Sequence, residues 1–96
     1  MSEPTSENPA DRPSLIDYPC DFPIKVMGER VDGFVHAITH IARQFDPGYD
    51  ASTVELRESS SGKYLGVTIT VRATSREQLD ELYRTLTSHP MVKVVL

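Results

Sequence analysis

The chain has 96 residues, 39% of them hydrophobic and 25% charged, which suits one two-layer domain and excludes disorder of the whole. Its net charge of −4 is unevenly spread: residues 1–21 hold five acids (Glu3, Glu7, Asp11, Asp17, Asp21) and one base, Arg12, whereas residues 22–96 balance nine acids with nine bases. Lacking clustered Lys and Arg, the chain is expected to bind neither nucleic acid nor a membrane surface, and its single cysteine, Cys20, excludes an intrachain disulfide and a cysteine-ligated zinc.

Residues 1–21 read as a flexible, acidic, Pro/Ser-rich tail. Pro4, Pro9, Pro13 and Pro19 stand among Ser, Asp and Glu, and apolar side chains are sparse before Leu15 and Ile16. Such a stretch buries too little to offset its ordering entropy, and it lacks the apolar centre of a signal peptide. No apolar run approaches the ~20 residues of a membrane span. With one cysteine, a reducing, cytoplasmic location is expected.

Residues 22–96 carry the pattern of a domain. Phe22, Ile24 and Val26 alternate with Pro23, Lys25 and Met27, which predicts a half-buried strand closed by Gly28. Val31, Phe34, Val35, Ile38, Ile41, Ala42 and Phe45 follow at helical spacing and predict a helix of about four turns, stopped by Pro47-Gly48. Glu29 and Asp32 lie near its start, where the helix dipole favours negative charge. A second strand is predicted over 53–57, with Val54 and Leu56 inward, and Ser59-Ser60-Ser61-Gly62 is a hairpin signal. The third strand, from Lys63 to Ala73, has the clearest alternation. Leu65, Val67, Ile69 and Val71 face one way and Tyr64, Gly66, Thr68, Thr70 and Arg72 the other. Thr74 to Glu77 has the spacing of a capping box, and Leu79, Leu82, Tyr83 and Leu86 form the stripe of a second helix. Ser88-His89-Pro90 ends it, and 91–96 is a final β-branched strand.

The order βαββαβ predicts an α+β, ferredoxin-like fold: a four-stranded antiparallel sheet with both helices on one face, because right-handed crossovers place them together. The other face stays open. The alternation puts Lys25, Met27, Glu55, Arg57, Tyr64, Thr68, Thr70, Arg72, Lys93 and Val95 on it.

No P-loop, dinucleotide-binding glycine motif, zinc-protease motif or nucleophile elbow occurs. His36 and His40 share a helix face at i, i+4 but lack a third ligand, so no metal is expected. Asp17 and Asp21 flank Cys20 and would disfavour a thiolate. Ser59 to Lys63 could cradle a phosphate, although a hairpin turn accounts for the same residues. RNA-binding domains of this topology stack bases on several aromatics of the central strands, and here Tyr64 alone is offered. Acylphosphatases share the topology but need a strand Asn, and the one Asn of this chain is Asn8. No catalytic residues and no cofactor are expected, and the protein reads as no enzyme.

The stretch Phe22-Pro23-Ile24-Lys25-Val26-Met27-Gly28 resembles the opening strand of the YbeD-like family, small bacterial proteins of unknown function. Ser59-Ser60-Ser61-Gly62-Lys63-Tyr64, Val67-Thr68-Ile69-Thr70-Val71 and Ala73-Thr74 resemble its central hairpin, and Leu82-Tyr83 and Val94-Val95-Leu96 its last helix and strand. The resemblance spans about residues 18–96 and implies a fold similar to ACT-type regulatory domains. Such domains bind small metabolites near the turn after the first strand, often across a dimer interface. The corresponding candidates here are Met27, Gly28, Glu29 and Arg30, next to a helix N-terminus. A second candidate surface is the open face itself, with Lys25, Arg57, Tyr64, Thr68, Thr70 and Arg72. The expected function is a binding or regulatory module for a small metabolite. The alternative is a protein-interaction or assembly domain acting through the sheet face or edge, with a homodimer as one assembly.

Overall fold

A computed structural model describes residues 17–96. Its elements are β1 (Cys20–Glu29), α1 (Phe34–Phe45), β2 (Glu55–Glu58), β3 (Tyr64–Ala73), α2 (Arg76–Thr87) and β4 (Val92–Val95). The strands form one antiparallel sheet in the order β2-β3-β1-β4. This is the expected α+β, ferredoxin-like arrangement.

Its frame is a ten-residue ladder between β1 and β3, running from Cys20 opposite Ala73 to Glu29 opposite Tyr64. Alternate side chains of both strands, Ile24 and Val26 with Val67, Ile69 and Val71, are fully buried. They meet Phe34, Ile38, Ile41 and Ala42 of α1 and Leu79, Leu82 and Leu86 of α2 in one cluster, so both helices cover the same face. Burying each of these large side chains stabilises the fold by about 1.5–3 kcal/mol relative to leaving it in water.

Several boundaries differ from the sequence reading, each for a local reason. The strand begins inside the predicted 1–21 tail: Cys20 and Asp21 belong to β1, and Tyr18 packs against the core. Residues 1–16 of that tail lie outside the described residues. Nor does β1 stop at Gly28, because Glu29 still pairs with Tyr64. Helix α1 starts later than its apolar spacing predicts. Gly33 adopts φ 87° immediately before it, a left-handed conformation that interrupts helical geometry, and Val31 is left outside, 47% exposed. Consequently neither Glu29 nor Asp32 lies in the first turn. The Asp50 carboxylate accepts from the Ser52 backbone N–H at 2.9 Å, which favours a single 3₁₀ turn over Ala51–Thr53 and delays β2 to Glu55. Leu56 lies opposite buried Val67, yet it is 54% exposed because β2 is an edge strand.

The cap of α2 is displaced by one residue from the predicted box. Ser75, not Thr74, is the cap: its Oγ accepts from the Gln78 N–H at 3.1 Å. Gln78 rather than Glu77 reaches back, its Oε1 accepting from the Thr74 N–H at 2.7 Å. Its Nε2 donates to the Phe45 carbonyl at 2.8 Å and to the Arg72 carbonyl at 3.2 Å. One amide thus joins the start of α2, the end of α1 and the end of β3.

The last strand also departs from the simple alternation. The β1–β4 register shifts between Met27 and Gly28. Val95 pairs with buried Val26 and packs against the core, contrary to its expected place on the open face. Val94 instead pairs with Met27, and Leu96 exchanges both backbone hydrogen bonds with Lys25.

Gly28 sits where these elements converge. A Cβ there would stand 2.3 Å from the Met91 carbonyl oxygen and 2.7 Å from the Phe34 ring. Gly28→Ala is therefore expected to lower the unfolding free energy by about 1–3 kcal/mol, the usual cost of overpacking, read as a lower urea midpoint with an unchanged slope.

Candidate functional site

The face of the sheet opposite the helices is uncovered, and its side chains follow from the register. Across one row, Val94, Met27, Gly66 and Arg57 lie side by side on β4, β1, β3 and β2. In the next row stand Leu96, Lys25, Thr68 and Glu55. Tyr64 lies beyond Gly66 on β3, beside Glu29. Five of the six predicted face residues, Lys25, Arg57, Tyr64, Thr68 and Thr70, occupy this face, with Arg72 at the far end of β3.

Within that face lies a groove of about 580 Å³, lined by Lys25, Met27, Glu55, Arg57, Tyr64, Gly66 and Thr68 among others. The volume is in the range of small-molecule sites. Gly66 lies in its floor, buried between the neighbouring side chains. A Cβ there would make only an ordinary 3.5 Å contact with the Arg57 carbonyl oxygen, and Gly66 is not among the glycines with positive φ. Neither packing nor backbone conformation demands glycine here, although mid-strand glycine costs roughly 0.5–1 kcal/mol relative to alanine. Such a residue often marks the close approach of another group.

Charge in the groove is only partly neutralised. Among the described residues Lys25 and Arg57 make no ion pair, while Glu58 at the rim lies 3.7 Å from Arg30 and Glu29 lies 3.6 Å from Lys93. Exposed pairs such as these contribute little to stability.

Of the first-turn candidates, Glu29 and Arg30 line one shallow depression of about 370 Å³ with Val31, Gly62, Lys63 and Tyr64, while Met27 and Gly28 lie outside it. Met27 faces the groove. Gly28 is buried on the opposite side, against Phe34 and Met91, which accounts for its lack of a side chain without a ligand. Glu29 pairs with Lys93. Arg30 fastens the β2–β3 hairpin: its backbone N–H donates to the Lys63 carbonyl at 2.9 Å and its Nε to the Gly62 carbonyl at 2.8 Å. The hairpin turn has Gly62 at φ 77°, as the Ser-Ser-Ser-Gly signal predicts. Gly33 separates Arg30 from α1, and no side chain caps that helix.

Arg72 has a structural setting. Its guanidinium is 3.2 Å from Asp21, its N–H donates to the Asp46 carboxylate at 2.9 Å, and its carbonyl accepts from Gln78. A second, shallower depression beside it is lined by Asp46, Tyr49, Asp50, Thr70 and Arg72 among others. His36 and His40 stack with ring centroids 6.3 Å apart and stay exposed on α1. Among the described residues, no group of three His, Cys, Asp or Glu side chains is placed to hold a metal ion. Nor is any helix of the described residues long and apolar enough to cross a membrane.

The sequence reading placed Met27 and Gly66 on this face without joining them into a groove, and it placed Val95 where Val94 and Leu96 stand. A glycine at an outward position of the clearest strand was the available signal.

Comparison with known proteins adds the following. A family profile described as "Protein of unknown function (DUF493)" matches residues 13–96. A UPF0250 protein of Ralstonia nicotianae is 59% identical over 93 residues, 95% of this chain and 96% of that protein. The solution structure of an H. pylori protein superimposes with a TM-score of 0.74 at 14% identity, covering 100% of this chain and 97% of the other. The crystal structure of the ACT domain from GTP pyrophosphokinase of Chlorobium tepidum gives a TM-score of 0.62 at 22% identity, covering 80% and 97%. At these identities the structural likenesses concern the fold alone.

Two outcomes are expected. Gly66→Ala, which only extends strand propensity, should raise the melting temperature by about 2–8 °C. Burial raises the Tyr49 phenol above its usual pKa, with the Thr53 hydroxyl and Arg43 opposing more weakly. The folded state thus favours the neutral phenol. Its contribution is complete below pH about 10 and lost as the pH climbs past that point. In melts between pH 8 and 12, Tyr49→Phe should reduce the alkaline loss of stability.

Proposed function

Because the chain belongs to DUF493, the YbeD-like family of small bacterial proteins of unknown function, we propose a function from its geometry: a non-enzymatic binding or regulatory module whose site is the groove on the open sheet face. The observation that carries this reading is the groove itself, a cavity of about 580 Å³ on the uncovered sheet face, within the size range of small-molecule sites. A non-enzymatic role draws on the lining, which holds neither Cys nor His. The fold-level likeness to an ACT domain of a GTP pyrophosphokinase is in keeping with a regulatory role.

The second reading, a protein-interaction surface, draws on the apolar side of the same face, where Val94 is 47% and Leu96 67% exposed beside Met27. For self-association, charge is the difficulty. Lys25, Glu55 and Arg57 stand on this face among the apolar side chains, and the cores of stable interfaces are depleted of charge. A small ligand matches the groove better than a second sheet does.

Thermal melts against a metabolite panel, followed by amide chemical-shift mapping of the hits, test the proposal. A ligand at 100 times its Kd should stabilise the folded state by about 2.7 kcal/mol. Its shifts should cluster on Lys25, Met27, Gly66 and Thr68. Hits mapping to Arg30 and Lys63 instead, or a panel without any hit, would count against the groove.

A further inference from the structure

We infer that two copies of this chain pair through the outer edge of β2, antiparallel about a two-fold axis at Leu56, joining their four-stranded sheets edge to edge. β2 is an edge strand, bonded on one side to β3. The ladder decides which of its backbone groups are spare. Ser59 donates to the Tyr64 carbonyl at 3.0 Å, so by antiparallel alternation Arg57–Gly66 and Glu55–Thr68 are the hydrogen-bonded pairs. Lys25 and Leu96, which exchange both bonds, give the same phase: Lys25 is turned to β4, so its neighbour Thr68 is turned to β2. The N–H and C=O groups of Leu56 and Glu58 therefore point away from β3. An unpaired edge of this kind is a template for another strand.

Phase and charge together select one register. Outward-pointing residues bond only to outward-pointing residues, so the axis passes through a residue and not between two. An axis at Glu55, Arg57 or Glu58 sets that charged residue against its own copy, and like charges directly opposite are destabilising. An axis at Leu56 sets Leu56 against Leu56 and, twice over, Glu55 against Arg57. Glu55 and Arg57 are exposed, and neither has an ionic partner among the described residues. Pairing supplies each with one, at the closer strand spacing of about 4.5 Å between Cα atoms. Leu56, 54% exposed within its own chain, gains an apolar partner. It also exchanges both main-chain bonds with its copy, and each Glu58 N–H meets the carbonyl of Val54, whose backbone is extended at φ −62° and ψ 139°. Charged side chains ordinarily guard an edge against pairing. The order Glu-Leu-Arg does the opposite, because read antiparallel it is complementary to itself. The contact is isologous and closes at two copies.

The contact is smaller than a standard interface, and a Kd of about 0.1 mM is expected, read by sedimentation equilibrium of the full chain from about 0.02 to about 1 mM. Glu55→Arg and Arg57→Glu each set like charges across the axis at two points. Each should melt cooperatively and sediment as a monomer over the whole range. Mixed in equal amounts, the two variants should associate about as tightly as the parent, since every cross-strand pair is again of opposite sign. In the parent, the Leu56 amide should exchange with solvent about fourfold more slowly at the highest concentration than at the lowest, the ratio of monomer fractions at that Kd. The Arg57 amide, bonded to β3, should show no such dependence.

A parent chain that stays monomeric to the top of the range overturns the inference. So does a dimer that persists in both charge-reversed chains, or two folded variants that fail to associate on mixing. Amide exchange needs the parent alone: a Leu56 rate independent of concentration overturns the pairing even where a reversed chain does not fold. None of these outcomes bears on ligand binding in the groove, whose expected shifts lie on β1 and β3.

Discussion

The antiparallel ladder between β1 and β3 is the constraint from which the rest follows. Ten consecutive residue pairs, from Cys20–Ala73 to Glu29–Tyr64, fix which side chains of the two central strands share a face. A slip of one residue would exchange the faces, sending Ile24, Val26, Val67 and Ile69 to solvent. With those side chains held inward, the helices have one apolar surface to cover. The opposite face is committed to Lys25, Met27, Gly66 and Thr68 by the same alternation.

Two glycines in this ladder show opposite reasons for having no side chain. At Gly28 the space a Cβ would need is already filled by the Met91 carbonyl and the Phe34 ring. Close packing of the interior accounts for it completely. At Gly66 the nearest obstacle is an ordinary contact, and the residue faces the groove. The two glycines thus lie on opposite faces of one sheet, near one another in register, and only at Gly28 would a side chain collide with its surroundings.

The connections are held by a few polar side chains that bond to backbone. Gln78 joins α1, β3 and the start of α2. The Asp46 carboxylate links the end of α1 to the Arg72 N–H. Arg30 clasps the hairpin carbonyls. Each satisfies backbone groups that loops would otherwise leave to solvent. These ties give Arg30 and Arg72, both candidate ligand contacts in a linear reading, structural partners as well. Their roles depend on residues 32 and 26 positions away in the chain, beyond any local pattern.

Taken by itself, the sequence determined the element order, the two apolar faces of β1 and β3, the helical stripes and the Gly62 turn, because periods of 2 and 3.6 residues report burial directly. That was enough for the α+β, ferredoxin-like fold and for most of the open face. It misplaced the start of α1, the cap of α2 and the facing of Val95, since a left-handed Gly33, a long-range Gln78 network and a shifted β4 register are settled by distant contacts. Tertiary structure alone decided that Met27 and Arg57 become neighbours across Gly66. A groove is a property of adjacent strands, and strand adjacency is fixed by pairing partners remote in sequence.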